Sequence, residues 1–148
     1  MDRGFIEQNR LECKRLGALV NQMSDEQLSL PAGGGWTVAT ILAHLAFWDY
    51  RAAALVKRWQ AAGQVEPSYM DIEAFNAAAL PITLALPPRK AAALAMDAAE
   101  AIDHLLEAAS DDLLQAIHQT KDTIRLSRGA HRKEHLDQIE AILKGANP

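Results

Sequence analysis

Apolar residues recur every three to five positions along most of the chain. No alternation of apolar and polar positions persists for five residues, so the pattern predicts helix almost throughout. From about residue 3 to about residue 22, Phe5, Ile6, Leu11, Leu16, Leu19, Val20 and Met23 form one stripe with Arg, Glu and Lys opposite, which predicts a first helix. Ser24-Asp25-Glu26-Gln27 is a capping-box pattern opening a single turn, and Pro31 followed by Gly33, Gly34 and Gly35 breaks the chain. Thr37 is the expected N-cap of a long second helix, in which Val38, Ile41, Leu45, Trp48, Ala52, Leu55, Val56 and Trp59 recur with helical period up to Gly63.

The texture changes from residue 64 to residue 88. Pro67, Pro81, Pro87 and Pro88 mark a crossover that is expected to hold one short helix, Met70 to Leu80. A third helix follows from about Arg89 to about Ala108, with Leu94, Ile102, Leu105 and Leu106 inward and many alanines permitting close approach of its neighbours. Ser110-Asp111-Asp112-Leu113-Leu114 then echoes Ser24-Asp25-Glu26-Gln27-Leu28, each starting a short turn after a long helix. The fourth helix starts between Thr123 and Ala130 and runs to Leu143, with Gly145 and Pro148 to stop it. The expected fold is all-α, a four-helix bundle with a long crossover between helices two and three, where sites are built from side chains on facing helices.

Composition narrows this picture. The chain of 148 residues fits one domain, 1–148, able to bury a core without disulfides or structural metal. The formal charge is −4, from 15 basic and 19 acidic residues, and no basic block is long enough to track a phosphate backbone, so nucleic acid is not an expected partner. A single cysteine, Cys13, points to a reducing compartment and carries no flanking His or Lys pattern that would activate its thiol. The N-terminus lacks an apolar leader and no stretch is apolar enough for a membrane span, so the expected setting is cytoplasmic, with no membrane partner.

The candidate chemistry is in histidine. His131 and His135 stand four apart in GAHRKEHLDQIEAIL, so on a helix they share one face at the edge of the core and can converge on one metal ion. That spacing is permissive, and exposed histidine pairs are common without metal. A catalytic metal needs a further ligand, and the best candidate is His44, embedded in the apolar run ILAHLAFW. Its bland alternative is a core histidine bonded to a carbonyl or carboxylate. His104 and His118 read as solvated or structural, and Glu134 and Asp137 as surface charge, with an outer-sphere role open to one of them. Trp36 and Trp48 read first as core packing, although Trp48 can also line a pocket beside His44, and Tyr69 and Asn76 in the crossover can border the same pocket.

GGWTVATILAHLAFWDY at 34–50 and GAHRKEHLDQIEAIL at 129–143, joined by a crossover containing FNAAAL and a third helix followed by SDDLL, resemble the DinB-like (DinB/YfiT) four-helix-bundle superfamily. The resemblance covers nearly the whole chain. It implies that His44, His131 and His135 bind one divalent metal, nickel or zinc, and no ligand of the family pattern is missing. The superfamily includes bacillithiol and mycothiol S-transferases and the mycothiol-dependent maleylpyruvate isomerase, and also many members of unassigned activity, so the resemblance implies a fold and a metal site rather than a substrate. A homodimer is the default expectation for such bundles, and a small-molecule substrate with a low-molecular-weight thiol as cosubstrate is part of the functional expectation. Three neutral imidazoles leave the ion its full charge and an open position, able to acidify a bound water or thiol. The leading expectation is a metal-dependent thiol S-transferase with no assigned general base. A non-catalytic stress-response or small-molecule- or metal-binding bundle and a metal-dependent hydrolase are the alternatives, because fold does not fix substrate.

Overall fold

The computed structural model describes residues 1–146. Its elements in chain order are α1 (Gly4–Gln22), α2 (Asp25–Leu28), β1 (Pro31–Gly33), β2 (Trp36–Thr37), α3 (Val38–Ala62), α4 (Ile72–Leu84), α5 (Pro88–Ala108), α6 (Asp111–Gln119) and α7 (Arg128–Ala146). The fold is all-α, as the periodicity predicts, with only a two-stranded ribbon besides the helices among the described residues. None of the helices is long and apolar enough to cross a membrane.

The four long helices, α1, α3, α5 and α7, form the bundle, and side-chain pairings fix their directions. Ile41 to Ala46 of α3 share a core with Ala92 to Ala99 of α5, and Ala52 to Trp59 share one with Ile102 and Leu106, so α3 and α5 run parallel. A parallel neighbour needs a long return, which the crossover with α4 supplies. Buried alanines on α5, namely Ala91, Ala92, Ala95, Ala98 and Ala99, let the α3 side chains sit close to its backbone.

Arginines tie off helix ends and set α1 antiparallel to α5. Arg89 donates to the Val20 and Met23 carbonyls at the C-terminus of α1, while Arg3 donates to the Glu107 and Ala109 carbonyls at the C-terminus of α5. Asn9 of α1 meets Gly129 of α7 and, further along both helices, Arg15 reaches Asp137 and Glu140, placing α1 and α7 parallel.

Several elements differ from the sequence expectation. The glycine run is a tight ribbon, with Gly33, Gly34 and Gly35 at φ of 88°, 59° and 82°, a left-handed path suited to glycine. The crossover helix spans Ile72–Leu84, shifted from Met70 to Leu80, because the Asp71 side chain caps it by accepting from Ala74 N. Its Pro81 is tolerated on an exposed turn, where the carbonyl deprived of its partner can meet water.

The serine-led turn at Ser110 grows into the nine-residue α6, anchored by buried Leu114 and Ile117. The last helix runs through Gly145 to Ala146 because its glycine is exposed and unopposed there; Pro148 lies outside the described residues. On α1, Leu11 is 61% exposed and the inward face carries Asn9 and Glu12 instead, for a reason that lies in α7.

Candidate metal centre

His44 sits two turns into α3, where a reciprocal capping box between Thr37 and Thr40 starts the helix. Thr37 is thus the N-cap its position in the sequence predicts. His131 and His135 lie on consecutive turns of α7, which runs antiparallel to α3 and faces it. One ligand atom from each of the three rings falls within 4.8 Å of the other two. His44 Nε2 is 3.3 Å from His131 Nε2, and the His44 and His135 ring centroids are 4.8 Å apart.

The His44–His131 separation suits a small cation. A tetrahedral zinc bonded at ~2.05 Å to imidazole nitrogens separates its ligand atoms by roughly 3.3 Å. The chemistry of the donors also fits. Burial lowers the pKa of His131 to about 3, with Arg128 and the other two histidines adding to the shift, and burial lowers that of His44 to about 4, with His135 adding to it. Both rings are therefore neutral at pH 7 and keep a lone pair for a metal. His135 Nδ1 lies 3.2 Å from Gln138 Oε1, an acceptor that fixes the proton on Nδ1 and frees Nε2.

Aromatic rings enclose His44. Trp36, carried in by the glycine ribbon, stands edge-on at 5.5 Å between centroids, and Trp48, one turn along α3, stands edge-on at 6.2 Å. The crossover helix forms the adjacent wall, with Phe75 stacked on Phe47 at 3.8 Å and edge-on to Trp48. Asn76 approaches His44 closely enough to favour its protonated form, yet Asn76 Oδ1 is buried without a hydrogen-bond partner among the described residues. The Arg51 guanidinium lies 5.7 Å from the centre of the Trp48 ring and donates to Ser68.

The remaining sequence candidates separate cleanly. His104 and His118 are exposed and outside the cluster. Asp137 is bound by Lys133 and Arg15 at the surface, and Glu134 is exposed. Tyr69, expected to border the pocket, is 80% exposed, because the helix that carries the wall begins only at Ile72. Cys13 is half-buried against the core, and burial raises its thiol above the usual range, so it is no nucleophile.

Hydrophobic periodicity singles out none of the buried charges beside the histidines. Arg132, between the two α7 histidines, is fully buried, as are Asp49 and Asp103 to within 1% and 6% exposure. Asp49 binds Arg128 Nε at 2.8 Å and Arg132 Nε at 3.0 Å, and Asp103 takes a two-pronged pair of 2.8 Å bonds from Arg132. Two guanidiniums thus face two carboxylates. The signal that could find them is a charged residue at a position whose helical neighbours are apolar, as at Asp103 beside Ile102 and Leu106.

Residues 9–139 match the family model of the mycothiol maleylpyruvate isomerase N-terminal domain. No curated protein and no solved structure matches the chain. The match spans all of α3 and the part of α7 up to Ile139, and with them all three histidines. The chain belongs to the mycothiol maleylpyruvate isomerase N-terminal domain family, a DinB-like domain.

Proposed function

We propose that the chain is a metal-dependent S-transferase that joins a low-molecular-weight thiol to a small electrophile, with His44, His131 and His135 as ligands of one zinc or nickel ion. The observation that carries the reading is the convergence of three imidazole donors within 4.8 Å on two facing helices, with His44 and His131 held neutral. A divalent cation on three uncharged ligands lowers the pKa of a thiol that binds it, making a thiolate available near neutral pH. Membership of a family named for a mycothiol-dependent isomerase supports thiol chemistry over other uses of such an ion.

The protein's own groups divide the remaining tasks. Trp36, Trp48 and Phe75 screen the His44 side from water, which strengthens every polar contact made there. Asn76 Oδ1 would accept a hydrogen bond from an N–H or O–H elsewhere on the thiol compound or on the electrophile and so orient it. We also propose that residues 1–148 act as one domain in the cytoplasm, and that the protein is a homodimer.

The test is metal analysis of purified protein followed by a conjugation assay with a generic electrophile and several bacterial thiols. Thiol consumption that depends on the metal is the expected result. Stoichiometric metal with no thiol consumed would remove the transferase reading in favour of sequestration or hydrolysis.

A further inference from the structure

Arg132 stands between the two histidines of α7 in sequence. Its guanidinium has five N–H donors, and all five have partners. Nε donates to Asp49 Oδ2, Nη1 to Asp103 Oδ2 and to the Asn9 carbonyl, and Nη2 to Asp103 Oδ1 and to the Ala99 carbonyl, at 2.8 to 3.3 Å. The partners come from α1, α3 and α5, so one side chain binds α7 to every other long helix. Burial opposes the charge, but the carboxylates outweigh it and hold the Arg132 pKa above its usual value.

A second contact sits one turn earlier. Asn9 Oδ1 accepts from Gly129 N at 2.7 Å while Asn9 Nδ2 donates to the Leu126 carbonyl, so α1 caps the start of α7. This explains why α1 turns Asn9 inward and Leu11 outward.

We propose that Arg132 is a positioning residue for the metal ligands, an inference that rests on the three-histidine reading. Successive helical residues differ by about 100° around the axis, so His131 lies about 100° from Arg132 and His135 about 60° from it, both on the same side. Pinning Arg132 between three helices therefore aims both imidazoles at α3. Side-chain tips lie about 5–6 Å from a helix axis, so a rotation of only ~10° moves them by ~1 Å. Metal–ligand bonds tolerate about 0.2 Å. A single-ring error in azimuth thus exceeds what the site can absorb, and an apolar contact, which has no preferred direction, cannot supply that accuracy. The planar fork, directional and fully paired, can.

The experiment uses Arg132→Met combined with Asp103→Leu, which removes one charge of each sign and leaves the Asp49–Arg128 pair in place. Apolar replacement of a buried ion pair commonly preserves folding. Cobalt(II) serves as the probe. The expected result is cooperative unfolding, a roughly 10- to 100-fold weaker cobalt affinity, an altered visible spectrum, and loss of the NOE between the His44 and His131 rings in metal-free protein. Arg132→Lys, which keeps the charge without the fork, is the second variant, with the same changes expected on a smaller scale. A folded variant with unchanged cobalt affinity, spectrum and ring NOE would overturn the proposal. Absence of cobalt binding by the unsubstituted protein would instead sink the metal reading, and the metal-free NOE would then decide the positioning role by itself.

Discussion

His44 Nε2 and His131 Nε2 meet at 3.3 Å across 87 positions of sequence. Two imidazoles so close cannot both carry a proton on the facing nitrogens without repulsion, and burial keeps both uncharged. In the metal-free protein they share at most one proton, and a cation that displaces it gains two lone pairs already in place.

The same shifts predict how the metal-free protein responds to acid. The ordinary histidine pKa is 6.5, and in the fold His44 falls to about 4 and His131 to about 3. Below pH 6.5 the unfolded chain therefore takes up protons that the folded chain refuses, so stability falls as pH drops from 6.5 toward 4 and, for His131, toward 3. Each such proton contributes about 1.4 kcal/mol per pH unit. Urea unfolding at pH 7.5, 6 and 5 should show the decline, and His44→Gln or His131→Gln should flatten it. An unchanged slope in both variants would mean that the rings are not held neutral.

Substituting any one of His44, His131 or His135 by alanine should abolish tight divalent-metal binding, because a catalytic site with an open position takes three protein ligands and two imidazoles are too few. Added zinc or nickel should raise Tm of the unsubstituted protein, by about 2.7 kcal/mol of stability at a hundredfold excess over Kd, and a chelator should reverse the gain. Metal affinity should weaken on acidification, since binding competes with protons for the same nitrogens. Thermal scans with and without chelator check all three statements; equal metal-induced shifts in His135→Ala and the unsubstituted protein would remove His135 from the site.

Periodicity made the long helices and the α7 histidine pair legible because both depend on spacing along single helices, whereas His44 joined the pair through the family resemblance. His44 stands out as a polar residue in ILAHLAFW, and the α7 pair by its four-residue step. What spacing could not reveal depends on contacts between helices. Leu11 belongs to the apolar stripe of α1 by sequence, yet Asn9 takes the inward place because α7 needs a cap and Arg132 needs a carbonyl. Asp49 and Asp103 are accommodated inside the bundle only because the two arginines of α7 lie against them from another helix. The inward turn of Trp36 onto His44 depends on three consecutive left-handed glycines, which from sequence alone read only as a break.

The seam between α1 and α7 gives a third prediction. A Cβ added at Gly129 would stand 2.6 Å from the Gln8 carbonyl oxygen and 3.0 Å from Asn9 N. Alanine favours helix over glycine by up to about 1 kcal/mol. The clash is with backbone, however, and cannot be relieved by a rotamer change, so overpacking should cost about 1–3 kcal/mol and dominate. Gly129→Ala should be less stable in urea and, by pushing α7 off α1, bind metal more weakly. A gain in stability would show that the seam yields.

The crossover helix should be the first part of the structure to open. None of the α4 residues is buried, so it has little apolar contact to resist local unfolding, and its main attachment near the site is the stack of Phe75 on Phe47 at 3.8 Å. Phe75→Ala removes that stack from a half-buried position, at a cost of about 1–2 kcal/mol, below the loss for a fully buried ring. The cost should appear as faster amide exchange across residues 72–84 while the four long helices keep their protection. Opening α4 also withdraws the aromatic wall from His44, so the ring should gain access to water and its pKa rise toward 6.5, the relief of burial outweighing the loss of the Asn76 contact that favours the protonated ring. Exchange mass spectrometry with an NMR titration of His44 reads both effects together. Uniformly faster exchange in every helix would instead make α4 an integral part of the cooperative core.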